Sequence, residues 1–135
     1  MKVTINVNAD TIRTVANGLQ RRQARVASAG VAVLDNVSAA IFIEAQANVP
    51  VQTGALRASG NVTVKYGLNN YKAVISYGDS RLGLMGRTTA EYAPERHEMM
   101  SHLKPLSFKW LERAVRNGAV TYRDELILKI AQALR

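Results

Sequence analysis

The stretch Val49-Pro50-Val51-Gln52-Thr53-Gly54-Ala55-Leu56-Arg57-Ala58-Ser59-Gly60, VPVQTGALRASG, separates two kinds of pattern. Apolar residues recur at helical spacing before it and alternate with polar ones after it. A residue that precedes proline is pushed away from helical angles, so a helix arriving from upstream stops before Pro50. The connector then runs from proline to glycine over residues 50–60, with a short turn of helix around Thr53. Thr53 and Gly54 read as a loop turn with a hydroxyl cap.

Upstream, Ile12, Val15, Leu19, Val26, Val33, Val37, Ile41 and Ala45, with Leu34 and Ala40 widening the stripe, predict a long amphipathic helix over about 10–48, with Asp10 as its N-cap. The pattern is weakest from Gly18 to Arg25, where Arg22 sits between Leu19 and Val26 on one face. Either the helix bends there or its start projects beyond the core. Arg21, Arg22 and Arg25 form the one local cluster of charge. They fit a solvated helix face or contact with an acidic neighbour or a phosphate backbone. Before the helix, Val3, Ile5 and Val7 share one side of an extended segment and predict a short strand over 2–7.

Downstream, Asn61 to Tyr66 and Lys72 to Tyr77, separated by Gly67-Leu68-Asn69-Asn70, predict a hairpin over 61–77. Residues 79–90 carry Gly83, Gly86, Arg81 and Arg87 and read as a flexible loop that orders on a partner. Leu82, Leu84 and Met85 in that loop would be costly exposed on an isolated monomer and mark a candidate assembly surface. Pro105 opens a helical region over 105–134, in which Phe108, Leu111, Val115, Tyr122, Leu126, Ile130 and Leu134 suit one buried face. Asn117-Gly118 is a candidate break, although the phase continues across it. The order of strand, long helix, strands and final helix predicts a single α+β domain over 1–135. Its N-terminal and C-terminal helices pack on a small, mostly antiparallel sheet.

The chain has 135 residues, 47% of them hydrophobic, which suits one domain with a single core. It has no cysteine, so disulfides, thiolate metal sites and a cysteine nucleophile are excluded, in keeping with a reducing cytoplasm. The start alternates polar and apolar residues and lacks the apolar core of a signal peptide. No segment is expected to span a membrane. The net charge of +8 invites a nucleic-acid reading. The excess is spread along the chain, and a diffuse positive field favours any polyanion without naming which. No recognition helix or aromatic single-strand platform stands out, so sequence-specific base reading is not expected.

One short stretch imitates a catalytic motif. Glu95-Arg96-His97-Glu98-Met99-Met100-Ser101-His102 has two histidines and a glutamate after the first, the ingredients of a zinc protease. That chemistry needs the histidines four residues apart, so that both face one metal. Five steps at about 100° each turn them roughly 140° apart on a helix. A catalytic zinc also wants a third protein ligand, and the chain has no other histidine and no cysteine. No metal, cofactor or enzymatic activity is expected.

Four pieces, in order, resemble the small neck or tail-completion proteins of tailed bacteriophages, also described as head-tail joining, minor capsid or morphogenesis proteins. They are the long amphipathic helix, VPVQTGALRASGNV at Val49 to Val62, YAPERHEMMSH at Tyr92 to His102, and PLSFKWLERAV at Pro105 to Val115. The resemblance spans about residues 10 to 116, and Met99-Met100-Ser101 departs from a Gly-Thr turn common in the family. It implies that Pro50, Thr53, Gly54, Leu56, Tyr92, His97, Glu98 and Leu111 are structural. It further implies a virion protein, assembled in the host cytoplasm as a homo-oligomeric ring at the head-tail junction, with no membrane partner. A portal, connector or head-completion protein would lie on one side of the ring, and a tail terminator or other tail proteins on the other. DNA would pass through the ring, and Lys65, Lys72, Arg81 and Arg87 are candidate lumen or partner contacts. The same lysines and arginines also suit soluble strand edges. A small non-specific basic DNA-binding protein is the alternative from another class.

Overall fold

The computed structural model describes residues 9–66, 71–99 and 105–135. The strand expected over 2–7 lies outside them. Helix α1, Ala9–Asn48, is followed by the short α2, Ala55–Ala58, and by strands β1, Asn61–Tyr66, and β2, Tyr71–Ser76. Helix α3, Thr89–Glu98, and the long α4, Trp110–Ala133, complete the chain, with single 3-10 turns at Leu84–Gly86 and Pro105–Ser107. The architecture is α+β, two long helices and a two-stranded antiparallel sheet.

Helix α1 is about 60 Å long at 1.5 Å per residue. Asp10 lies inside its first turn rather than at a cap, beside Arg13 at 3.9 Å, where a carboxylate complements the helix dipole. The helix ends where Pro50 requires, its last turn closed by the Val49 N–H donating to the Ala45 carbonyl at 2.9 Å. Val33, Val37, Ala45 and Val49 are buried. No segment was expected to approach a membrane span, but α1 corrects this. Its Arg13–Asn48 portion holds an 18-residue window of mean hydropathy 1.8, enough by length and composition. The valines responsible include the ones that α1 packs against the rest of the fold.

Helices α1 and α4 run antiparallel. Asn117 donates to the Glu44 carboxylate at 2.7 Å. A Cβ at Gly118 would lie 2.2 Å from Ile41 Cγ1, and one at Gly30 would lie 4.0 Å from Leu126. Continued at the same pitch, the end of α4 falls beside Arg22, so about three turns of α1 extend past it. Every described side chain from Arg13 to Arg25 is exposed, Gly18 aside. Of the two expectations for this region, the start of the helix projects beyond the core. Asn117-Gly118 does not break α4, and Gly118 is what lets the two helices approach closely.

In the hairpin Val62 pairs with Ile75 and Val64 with Ala73, all half-buried on the face toward α1. Thr63 with Val74 and Lys65 with Lys72 form the exposed face. Beyond β2, Tyr77 stacks on Phe42 at 6.1 Å and meets Trp110 edge-on at 4.2 Å, joining sheet, α1 and α4. Ala45, Val49, Leu56, Tyr92, Ala93, Trp110 and Ala114 form the main core cluster.

Candidate assembly surfaces

The connector positions the motif residues as framework. The Thr53 hydroxyl accepts the Ala55 N–H at 3.3 Å, and Gly54 sits at φ 79, a left-handed conformation that glycine adopts without penalty. This turn starts α2, which buries Leu56. Ser59 closes α2 by donating to the Leu56 carbonyl at 2.6 Å and accepts the Gly78 N–H at 2.9 Å, tying the connector to the end of the hairpin.

The region expected as a loop over 79–90 is more ordered than that. Its base is a knot around Asp79. The backbone N–H of Asp79 donates to the Thr89 hydroxyl at 2.7 Å, its side chain accepts the Arg81 N–H at 2.9 Å, and its carbonyl accepts the Ala90 N–H at 3.1 Å. Thr89 is fully buried. The Arg81 N–H holds the Asp79 carboxyl below its ordinary value against partial desolvation, aided by the Thr89 hydroxyl and the Arg81 guanidinium. Above this base Leu82 bridges to Thr88, and Gly83 donates to the Arg87 carbonyl at 2.9 Å. Gly83 lies directly on the Tyr92 ring and has no room for a side chain. At the tip Met85 holds φ 56 and is 90% exposed, while Leu82 is 69% exposed. Leu84 belongs to the same turn, but its side chain lies outside the described residues.

From Thr89 the chain enters α3, a helix missed from the sequence because Pro94 stands inside it. A signal was present in Thr88-Thr89-Ala90-Glu91, a capping box. The Thr88 side chain caps the first turn, and the Glu91 carboxylate accepts the Thr88 N–H at 2.7 Å. Tyr92 and Ala93 turn into the core.

His97 has a structural assignment. Its Nδ1 lies 3.0 Å from Glu98 Oε1, and its Nε2 accepts the Glu112 N–H at 3.4 Å, a donor in the first turn of α4 that the helix itself leaves unpaired. With Nε2 accepting, the proton sits on Nδ1, facing the carboxylate. The ring also meets Trp110 edge-on at 5.5 Å, and the His97 carbonyl accepts the Lys109 N–H at 2.7 Å. The histidine therefore caps α4 from another helix. Leu111 packs against the core beside it. Glu98 and Glu112 share Lys109 at 3.9 and 3.3 Å, and Lys109 holds the Glu112 carboxyl below its ordinary value, with Arg116 helping. Among the described residues no three metal-ligating side chains gather, and His102 lies outside them.

The candidate cationic residues fall in three places. Lys65 and Lys72 oppose each other on the outer face of the hairpin, where like charges repel. Arg81 and Arg87 flank the loop tip, the first 3.1 Å from Asp79 and the second 3.0 Å from Glu95. Arg21, Arg22 and Arg25 are exposed on the projecting part of α1 and form no ion pair among the described residues.

A further feature gave no sequence signal. An apolar groove of about 270 Å³ lies between α1, β2 and α4, lined by Val37, Ser38, Ile41, Ile75, Val115 and Ala119 among others. No part of its lining comes from the 79–90 segment. No protein-family model, curated protein or solved structure matches this chain.

Proposed function

We propose that this protein is a structural subunit of a tailed-bacteriophage virion, assembled as a ring at the head-tail junction through which DNA passes. The observation that carries the reading is the Leu82–Arg87 tip, whose exposed leucine and methionine are held out from the fold by a rigid base. A monomer gains nothing from that exposure, whereas a ring subunit needs a patch that meets a different patch on its neighbour. The ordered resemblance of four sequence pieces to neck proteins supplies the virion setting. In a ring the cations of one subunit are multiplied many times, so contacts feeble in a monomer become appreciable without reading sequence.

The test is location in purified particles, by mass spectrometry for copy number and antibody-gold labelling for position. The expected result is a low, fixed copy number with label at the head-tail junction. Absence from complete particles in which other structural proteins are detected would overturn the proposal.

The exposed Arg21, Arg22 and Arg25 favour a second reading, a small non-specific DNA-binding protein. It predicts strong binding of the isolated monomer to any duplex, falling steeply with salt. The ring reading predicts weak monomer binding.

A further inference from the structure

The hairpin is an unfinished sheet. Its two strands leave two open edges, rows of backbone N–H and C=O groups that a further strand can pair, and among the described residues no third strand joins either. The groove singles out one edge. Ala73 and Ile75 of β2 line it and no residue of β1 does, so it lies on the β2 side of the sheet. Its other walls include Val115 and Ala119, exposed on α4, and the described lining has no charged side chain. A strand added to β2 beside this groove must carry uncharged, apolar side chains at every second position.

The chain has such a segment in Val3, Ile5 and Val7, which alternate with Lys2, Thr4 and Asn6. Its own copy cannot use it. Tyr77, the residue after β2, stacks on Phe42, and Ala9 stands about 50 Å along α1 from Phe42. The hairpin spans about 20 Å from Tyr77 to Tyr71, so even if it pointed straight toward Ala9 its near end would stay about 30 Å away. Residues 2–8, fully extended from Ala9, cover at most about 25 Å, and pairing needs several of them alongside β2. The projecting turns of α1 carry the segment clear of its own fold and toward a neighbour.

We infer that residues 2–7 of one copy add as a third strand to the free edge of β2 in a second copy, antiparallel, with Thr4 opposite Val74. This register sets Val3 beside Ile75 and Ile5 beside the smaller Ala73, both on the groove face, and leaves Lys2 opposite Ser76 at the far end from Lys72. The parallel arrangement with Thr4 at the same place would set Lys2 against Lys72, where like charges repel. Because the segment and the edge are different patches, the contact is heterologous, and each copy retains one of each for the next. This supplies a subunit contact for the ring reading, and rests on that reading only for closure of the ring.

The chain has no cysteine, which permits a direct test. One preparation carries Thr4→Cys and another Val74→Cys, and the mixture is oxidised. The expected product is the mixed 4–74 dimer, well above the yield of Thr4→Cys with Thr63→Cys, since Thr63 shares the exposed face with Val74 but stands one strand further off, on β1. A single chain carrying both Thr4→Cys and Val74→Cys should form no internal disulfide at high dilution. Sedimentation of the parent chain should show self-association that weakens about thirtyfold in Ile5→Asp, the loss expected for a buried interface anchor, and stays within about threefold in Thr4→Asp. Both variants should keep the melting temperature of the dilute monomer. A parent chain that stays monomeric, an internal 4–74 disulfide, equal yields for the 4–74 and 4–63 pairs, or equal association of the two aspartate variants would overturn the inference. A chain that cross-links 4 to 74 but is absent from particles retains the contact and loses the neck role. Particles that assemble normally with Ile5→Asp retain the role and lose the contact.

Discussion

The two halves of α1 form one continuous helix but two different surfaces. Residues 10–25 carry Arg13, Arg21, Arg22 and Arg25, and their apolar members Val15 and Leu19 are 55% and 59% exposed. Residues 26–48 carry no cation, and Val33, Val37 and Ala45 are almost completely buried. The helical period runs through both. Periodicity therefore reports that a helix has an apolar stripe, while burial depends on whether a neighbour reaches it. Here α4 is too short to cover the first three turns. The comparison also separates what stabilises each half: tertiary packing for the second, and little beyond the helix's own hydrogen bonds for the first.

The largest expected effect lies in the core against the packed half. Trp110→Ala should cost about 3–5 kcal/mol in chemical denaturation, since it empties the junction of Tyr77, His97 and the α1 face. Leu19→Ala on the projecting half should stay within about 0.5 kcal/mol, and a loss like that of Trp110 would show that the projection is packed within the monomer. Glycine substitutions sharpen the same contrast through their sign. Gly118→Ala should destabilise by about 1–3 kcal/mol because its Cβ meets Ile41. Gly18→Ala, with nothing within 4 Å, should stabilise by about 0.5–1 kcal/mol through helix propensity alone. Two melts of equal sign would break the comparison. Hydrogen exchange should show the amides of residues 13–21 opening with little protection, and those of residues 33–45 opening near the global limit.

The smallest effects are in pH dependence, and they belong to the packed part. Burial pushes the Tyr77 hydroxyl up to about 12 from 10, with Arg57 opposing. The fold prefers the neutral phenol, so its contribution is complete below pH 10 and is lost as pH rises from 10 toward 12. Tyr77→Phe should remove that alkaline loss at little cost near neutrality, because the buried hydroxyl has no hydrogen-bond partner among the described residues. Asp79 and Glu112 are shifted the other way. Their contribution is present above the ordinary carboxylate range and disappears as pH falls through their lowered values, so Asp79→Asn should flatten the acid side of the profile.

The legible parts of the fold are those in which local chemistry is decisive. Pro50 stops α1, Thr53 and Gly54 make the turn, and the alternation of Val62 and Val64 with polar neighbours identifies a strand half-buried on one face. Helix α3 was not legible, since 79–90 read as a loop and Pro94 is a residue that disfavours a helix interior, although the capping box at Thr88 and Glu91 marks its start. The His-Glu pair shows the reverse. Its sequence suggested chemistry, and its spacing argued against it. Only packing revealed that His97 caps the first turn of α4.

The sequence by itself determined the long helix α1 and its stop at Pro50, the hairpin and the final helical region, that cysteine chemistry is absent, and that one segment carries leucine and methionine between arginines. These follow from backbone preferences and composition, which act over a few residues. The tertiary structure alone decided which part of the α1 stripe is covered, that Gly118 is a contact rather than a break, and that α1, β2 and α4 leave an apolar groove between them. Those features depend on the relative length and register of elements far apart in the chain, and no local pattern carries that information.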